Sequence, residues 1–523
     1  MSFCQRLDRL IQTNQTSLLR GGLKGLEKES LRLDRDGGLA QTPHPRALGS
    51  ALTHEAITTD YSEALIELIT PAFAELQETL GALANLHRFV YSHLGEELLL
   101  ATSMPIGLHG DECIPIADYG SSNIGRMKRI YREGLGHRYG RTMQSIAGLH
   151  YNYSFRPELW DALRALEAPS CGQRDFVDAG YFGVVRNIQR HAWLLIYLFG
   201  HSPVMSRSFF EGRESLMARF RGYGSDTLGL PEATSLRMSD IGYRNDNQNS
   251  LEIDFNTLDQ YVASLGRAIT EPYPPYVALG IEVNGQYRQL NDSILQIENE
   301  YYSPVRPKQV AFSGEKPTLA LAKRGVRYLE IRVMDLQCFD PMGVSEEAMR
   351  FLEVFVSWCL LRESPPLSQE ALAECGHNNL KVACCGRRPD REILREGALK
   401  SLRETGLEIL DECLEVAELL DGPHSGSLFQ AAVLRQRQKI NEPDHTPSAQ
   451  VLAEVEQQEG SFERFALTLS RQHAEHWRNR PLSTPLQATF EEEAAESLDR
   501  QKTLEDQDTI DFKDFLEAYR CQS

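Results

Sequence analysis

The sequence has little of the punctuation that marks several familiar classes of protein. Ten cysteines are scattered over 523 residues with one adjacent pair, Cys384 and Cys385, and no CxxC. That spacing excludes a disulfide framework or a cysteine-rich zinc site and predicts a reducing compartment, the cytoplasm. No GxxxxGK(S/T) occurs and no GxGxxG follows a strand, so the usual glycine-rich nucleotide loops are absent. The longest apolar run, Trp193 to Gly200, is far too short to span a bilayer, and the N-terminus has no apolar signal core. Basic residues are outnumbered, 55 Lys and Arg against 74 Asp and Glu, giving a net charge of −19. Nucleic acid is therefore not expected as a partner, because phosphate binding needs clustered Lys and Arg.

What is present is ordinary in bulk and unusual in one place. With 41% hydrophobic and 25% charged residues the chain can bury a large core. The expected division is a sheet-rich catalytic region over 1–345 and a mainly helical scaffold over 346–523, within one compact unit. No sustained heptad asks for a partner, so a monomer is expected.

The unusual place is Gly21 to Pro71. If Gly25–Leu33 is a strand, Glu27 and Glu29 share a face with Leu31 and Leu33, since side chains alternate with period two. Asp34 to Gly38 supplies a turn, and the run Thr58 to Pro71 holds Asp60 and Glu67. Glu67 interrupts an apolar run, where an ionised carboxylate is costly unless a cation or donor meets it. Glu63 reads as solvated surface. Acids held together on an apolar framework repel one another unless a cation sits among them, which favours a divalent metal site over an ion-pair network.

The rest of the chain is read in order. Arg6, Arg9 and Arg20 predict a short amphipathic helix closed by Gly21-Gly22 rather than a transit peptide. Leu76, Leu80, Leu83 and Leu86 predict an amphipathic helix with His87 on its surface. Asn123 to Arg141 predicts a cationic helix carrying Arg126, Lys128, Arg129, Arg132 and Arg138; a solvated face and a site for carboxylates or phosphates both fit. Gln144 to Phe155 alternates like a strand, with His150 on its polar side, either as a hydrogen-bonding residue or as a metal ligand. Arg186 to Gly200 predicts an apolar helix, and Ala233 to Asn249 a polar loop in which Arg237 and Tyr243 stand out. Glu298, Glu300 and Tyr302 share one parity. Glu330 and Arg332, set between Leu329, Ile331 and Val333, form either a structural salt bridge or a metal ligand beside an anion clamp. Beyond about residue 345, Phe351–Leu361 reads as buried, Leu402–Leu420 as amphipathic, and Phe490–Gln507 as a charged helix or a loosely held acidic segment. No catalytic constellation is visible there.

Several strands thus offer carboxylates to a common face with Arg groups nearby, which suits oxygen-ligated magnesium holding nucleotide phosphates. At this point the chain resembles the proteobacterial type of glutamate–cysteine ligase. The resemblance rests on Gly25–Arg32, His44–Pro71, Ser122–Leu135, Gly148–Ser154, Ala233–Asp240, Gln296–Lys308 and Tyr328–Arg332, in one order over about residues 20 to 345. It implies an α+β, glutamine-synthetase-like fold with a curved antiparallel sheet forming a funnel. The implied reaction uses ATP to phosphorylate the γ-carboxylate of L-glutamate, after which the amine of L-cysteine displaces phosphate. It further implies Glu27, Glu29, Asp60, Glu67, His150 and Glu330 as ligands of Mg²⁺, Arg332 as the group stabilising the transferring phosphoryl, and Arg132 as its partner. Tyr61, Tyr131, Gln144, Ile146, Arg237, Tyr243 and Tyr302 resemble the amino-acid acceptor pocket, with Arg237 suited to a carboxylate. The adenine site is not placed. The rival readings are a related ligase with another small amine acceptor, a glycosidase built on paired carboxylates, and a noncatalytic metal- or partner-binding protein.

Overall fold

In the computed structural model, which describes residues 3–242, 248, 251–422 and 426–522, the acidic stretch becomes the centre of an antiparallel sheet. Strand β1 (Leu23–Leu33) lies between β3 (Leu65–Ile69) and β5 (Leu149–Ser154). Beyond β3 comes β2 (Ile57–Thr59); beyond β5 come β7 (Tyr328–Met334) and then β6 (Val305–Lys308). The short β4 (Leu98–Leu99) pairs with the far end of β1.

Period-two alternation gives β1 two chemically opposite faces. Glu27 and Glu29 point forward. On the back, Lys24, Lys28 and Arg32 recur at four-residue spacing, and each is buried against a partner. Lys24 Nζ lies 3.1 Å from Glu353, Lys28 Nζ 2.7 Å from His87 Nε2, and Arg32 Nη1 2.7 Å from Glu97. Removing one member of the Lys24–Glu353 or Arg32–Glu97 ion pair costs roughly 3–5 kcal/mol, whereas Lys28 and the neutral His87 share a hydrogen bond; the His87 and Glu353 contacts fix helices α2 (Leu76–His93) and α5 (Glu346–Leu361) to the sheet.

Local physics also explains where the sequence reading fails. The N-terminal helix α1 (Phe3–Gln12) stops well short of Gly21, because Asn14 takes a positive φ of 56° and a short turn at Thr16–Leu19 follows. His87 is not on the surface: one turn beyond Leu83 it shares the inward face of α2, bonds Leu83 O through Nδ1, and stacks on Trp477 at 4.9 Å. Glu63 is not simply solvated; its carboxylate accepts His44 N at 2.7 Å and Asp118 N at 2.9 Å and so ties two loops together. Gln144 precedes the strand, in a turn (Thr142–Ser145) capped by Asp111, which accepts Arg141 N and Thr142 N, each at 2.9 Å. Glu298–Glu300 is likewise a turn, with both carboxylates buried: Glu300 accepts the nearby Gln296 N, and Glu298 the hydroxyl of Thr318 from helix 317–324.

The cationic helix is α3 (Asn123–Tyr139), and the apolar one is the long α4 (Gln173–Phe199). In the last third, α5 is buried over nearly its whole length, and α6 (Gln369–Cys385) and α7 (Leu402–Asp421) pack around it and α4. Helix α8 (Phe462–Arg478) brings Trp477 to His87, and the charged α9 (Thr484–Gln507) is held rather than loose: Ser50 N donates to Ser497 Oγ at 2.9 Å and Phe490 stacks on Phe89. One apolar cluster runs from Phe3 to Ala494. Among the described residues no helix is long and apolar enough to cross a membrane, and the nine described cysteines are all free.

Several buried histidines set the acid limit of this core. Burial holds His201 and His473 neutral, with pKa values lowered to about 3, and His44 and His54 at about 4. Between pH 4 and the ordinary histidine value near 6.5 the unfolded chain therefore binds more protons than the folded one, so stability falls as pH drops through that window. The urea midpoint is expected to decline steadily below pH 6.5, and His201→Gln to flatten the decline; a midpoint constant from pH 6.5 to 4 would contradict this.

Candidate functional site

Register brings the acids together. Glu27 stands opposite His150 across β1 and β5, Glu29 opposite Glu67 across β1 and β3, and Glu330 opposite Asn152 across β7 and β5. Ligand atoms of Glu27, His150 and Glu330 all lie within 4.8 Å of one another. His150 Nδ1 is 3.1 Å from Glu27 and 3.5 Å from Glu330, and its Nε2 faces Glu29 at 3.8 Å. Asn152 Nδ2 donates to the other Glu27 oxygen at 2.8 Å.

The electrostatics are those of an anionic nest awaiting a cation. Burial, then the carboxylates of Glu27, Asp60 and Glu29, lift Glu67 well above the usual range. Burial and Asp60 raise Glu29 to about 8 against the pull of Arg237 and Arg332. Burial and Glu330 push Glu27 upward, but His150 and Lys308 outweigh them and keep it low. Glu330 is held far below the usual range, because Arg332, Lys308 and Arg306 together overcome its burial. Burial and Arg332 lower His150, leaving the neutral imidazole that a metal requires. A set of carboxylate oxygens with one imidazole, gathered where like charges repel, fits a hard divalent cation.

Cations close the front. Arg332 Nη1 donates to Glu330 at 2.6 Å and lies 3.5 Å from His150. Lys308 and Arg306, opposite β7 in the register, reach the second Glu330 oxygen at 3.4 and 3.9 Å. Arg132 on α3 bonds the Asp60 carbonyl through Nε and lies over the Tyr119 ring, 4.6 Å from its centroid.

Two cavities meet at these residues. A small one of about 70 Å³ is lined by Glu29, Asp60, Tyr61, Tyr131, Arg132, Gln144, Tyr302 and Arg332, among others, so most of the sequence-derived acceptor residues are brought together there with both proposed catalytic arginines. A larger one of about 610 Å³ is reached from Arg237, Tyr302 and Arg332 and walled on its far side by Gln369, Leu372 and Asn379 of α6. Ile146 lines neither; it is fully buried. Tyr243 lies outside the described residues.

Sequence reasoning missed several members. Arg306 and Lys308 were legible as alternating cations in ValArgProLys, but only register shows that they face Glu330. Asp335 is buried, accepts His201 N at 2.7 Å, and stands 3.8 Å from Arg237 Nη1; it follows the Glu330–Arg332 strand and gave no signal of its own. Helix α6, in the last third that the sequence showed as scaffold without a catalytic constellation, contributes Gln369, Leu372 and Asn379 to a wall of the larger cavity.

Carboxylates with the donor set for a divalent cation, fronted by guanidinium groups and opening on cavities, suit the class of enzymes that carry out metal-assisted phosphoryl chemistry. The glutamate–cysteine ligase family profile matches residues 7–382. Over 521 residues the chain is 46% identical to the glutamate–cysteine ligase of Alcanivorax borkumensis, covering 98% of each, and over 504 residues 47% identical to that of Pseudomonas entomophila, covering 96% of this chain and 94% of the other. Its structure matches a crystal structure of the Francisella tularensis glutamate–cysteine ligase in complex with AMP at a TM-score of 0.88 and 34% identity, over 96% and 98% of the two chains. The chain belongs to the glutamate–cysteine ligase family, and its fold is the α+β, glutamine-synthetase-like arrangement expected from the sequence.

Proposed function

We propose that this chain joins the γ-carboxylate of L-glutamate to the amine of L-cysteine with ATP, the first step of glutathione biosynthesis. The observation that carries the reading is Arg332, bonded to Glu330 at 2.6 Å and lining both cavities, so that it stands between the acid cluster and the space for amino acids. An oxygen of the γ-carboxylate attacks the terminal phosphorus of ATP and ADP leaves. The cysteine amine then attacks the acyl carbon of the γ-glutamyl phosphate; the amide bond forms, inorganic phosphate departs, and the nitrogen loses a proton. Arg332, with Arg132 opposite, stabilises the charge on the transferring phosphoryl.

Glu27, Glu29, Asp60, Glu67, His150 and Glu330 would hold Mg²⁺, which when bound neutralises phosphate oxygens. Tyr61, Tyr131, Gln144 and Tyr302 bound the acceptor, with Arg237 receiving its carboxylate and Ile146 in the core. Residues 1–345 carry the chemistry and 346–523 form the scaffold, with α6 as the one wall it lends. The enzyme acts as a cytoplasmic monomer.

The test is ADP release with Mg²⁺, ATP and L-glutamate, comparing L-cysteine with a panel of small amines. A cysteine-dependent signal that falls at least about a hundredfold in Glu67→Gln and Arg332→Ala supports reaction and site together. Preference for another amine keeps the ligase chemistry and removes cysteine; no stimulation by any amine removes the enzyme reading.

A further inference from the structure

The small cavity has two walls that come from distant parts of the chain. Helix α3 supplies Tyr131 and Arg132, and the segment ending at Tyr302 supplies Glu300 and Tyr302. A buried ion pair ties those walls together. Arg138, two turns beyond Tyr131, and Glu300 have side chains 0% and 1% exposed, and Arg138 Nη1 meets Glu300 Oε1 at 3.0 Å.

Arg138 donates its remaining hydrogen bonds to residues 289–294, while Glu300 accepts from both walls. Arg138 Nε and Nη2 donate to Gln289 Oε1 at 3.0 and 2.9 Å, Nη2 to Asn291 O at 2.8 Å, and Nη1 to Ile294 O at 3.2 Å, while the guanidinium lies 4.0 Å over the Tyr276 ring. Glu300 accepts the Tyr139 hydroxyl at 2.5 Å and Gln296 N at 2.6 Å. Gln296 returns to the helix: its Nε2 donates to Tyr131 O at 3.1 Å, and its side chain fills the space over Gly134, where a Cβ would lie 2.6 Å from Gln296 Cδ. On the other side Glu300 O accepts Gln248 Nε2 at 2.9 Å, and Tyr302 N donates to Gln248 Oε1 at 3.0 Å.

We infer that Arg138 and Glu300 are positioning residues that set the separation of Tyr131 and Tyr302 and so fix the size of the amine acceptor. The inference rests on the acceptor-pocket reading above. Neither residue is asked to touch substrate: the bonds that reach the tyrosine backbones run through Gln296, whose N–H Glu300 accepts and whose Nε2 meets Tyr131 O, and through Gln248, which bridges Glu300 O and Tyr302 N, so a change in the pair reaches the acceptor through the walls. A planar guanidinium suits the task, since its fixed fork meets four separate acceptors that an ammonium could not satisfy together. The carboxylate suits it equally, because it only accepts, and three donors converge on it.

The experiment measures KM for acceptor, glutamate and ATP in turn, with thermal melts, for wild type, Glu300→Gln, Arg138→Met and Arg138→Lys. Gln at 300 turns an NH₂ toward one of the three donors; Met at 138 removes the fork, and Lys restores the charge alone. The expected result is an acceptor KM raised about tenfold or more in Glu300→Gln and Arg138→Met, with Arg138→Lys between them and wild type. KM for glutamate and ATP stays within about twofold, and discrimination against acceptors one or two methylenes longer than cysteine is relaxed. Acceptor and glutamate KM rising together, or a lowered melting temperature with all KM values unchanged, overturns the inference and leaves the pair merely structural. If Arg138→Met does not fold, Arg138→Lys and Glu300→Gln carry the same comparison. The wild-type control separates the two claims: another preferred amine removes cysteine but leaves the KM split to be read with that amine, and no turnover with any amine overturns both.

Discussion

Glu330→Gln is expected to lower cysteine-dependent ADP release by about a thousandfold or more, because one side chain serves the metal cluster and the phosphoryl clamp at once. One Glu330 oxygen accepts Arg332 at 2.6 Å and the other is faced by Lys308 and Arg306 at 3.4 and 3.9 Å. The uncharged amide leaves those three cations without their common counter-ion and turns a donor toward groups that themselves donate. Arg332 is thereby released from its place between the cavities, and the cluster loses one of the three ligands that lie within 4.8 Å of one another. Two measurements separate the effects. Titrating Mg²⁺ reads the loss of affinity, and turnover at saturating Mg²⁺ reads the misplaced Arg332. Retention of more than about a tenth of wild-type turnover at any Mg²⁺ concentration would falsify the double role. The gain of an amide in place of a carboxylate changes little volume, so a folded variant is expected despite the exposed charges.

Much of this site was legible in the sequence, and the reason is period two. Strand parity alone placed Glu27 and Glu29 together on β1, His150 on the polar side of β5, and Glu330 with Arg332 on β7, all as found. What parity does not carry is register between strands, and so Arg306 and Lys308 could be seen as cations without being seen to face Glu330. Parity also misleads where side-chain bonds bend the backbone: Gln144 and Glu300 were assigned to alternating strands, but Asp111 caps one segment into a turn and Gln296 N with Arg138 folds the other. The back of β1 was not read from the sequence at all, because the groups that meet Lys24, Lys28 and Arg32, namely Glu353, His87 and Glu97, come from elsewhere in the chain. His87 was placed on the surface because a histidine on a leucine-striped helix has no visible partner until Lys28 is brought to it. The wall that α6 lends to the larger cavity had no sequence signal, since Gln369, Leu372 and Asn379 are ordinary residues of an amphipathic helix.

Gly148→Ala is expected to cost about a hundredfold in kcat/KM for the amino-acid substrates while leaving the affinity for Mg²⁺ within about twofold. Gly148 sits one residue before β5, and its backbone conformation is open to any residue, so the argument is purely steric. A Cβ there would collide with the Arg237 guanidinium, whose Cζ would lie only 2.8 Å away. Arg237 is 1% exposed and cannot swing aside cheaply: its Nη2 donates to Arg332 O at 3.0 Å and its Nη1 stands 3.8 Å from the buried Asp335. The same glycine donates its N–H to Glu29 Oε2 at 2.5 Å, a backbone bond that an added methyl group leaves in place. If Arg237 receives the acceptor carboxylate, Gly148→Ala and Arg237→Lys should raise the same KM, and the double variant should be little worse than either alone, since both act on one contact. Additive losses in the double variant would mean that Gly148 acts through Glu29 instead, and a fully active Gly148→Ala would show that the guanidinium position is not what the acceptor requires.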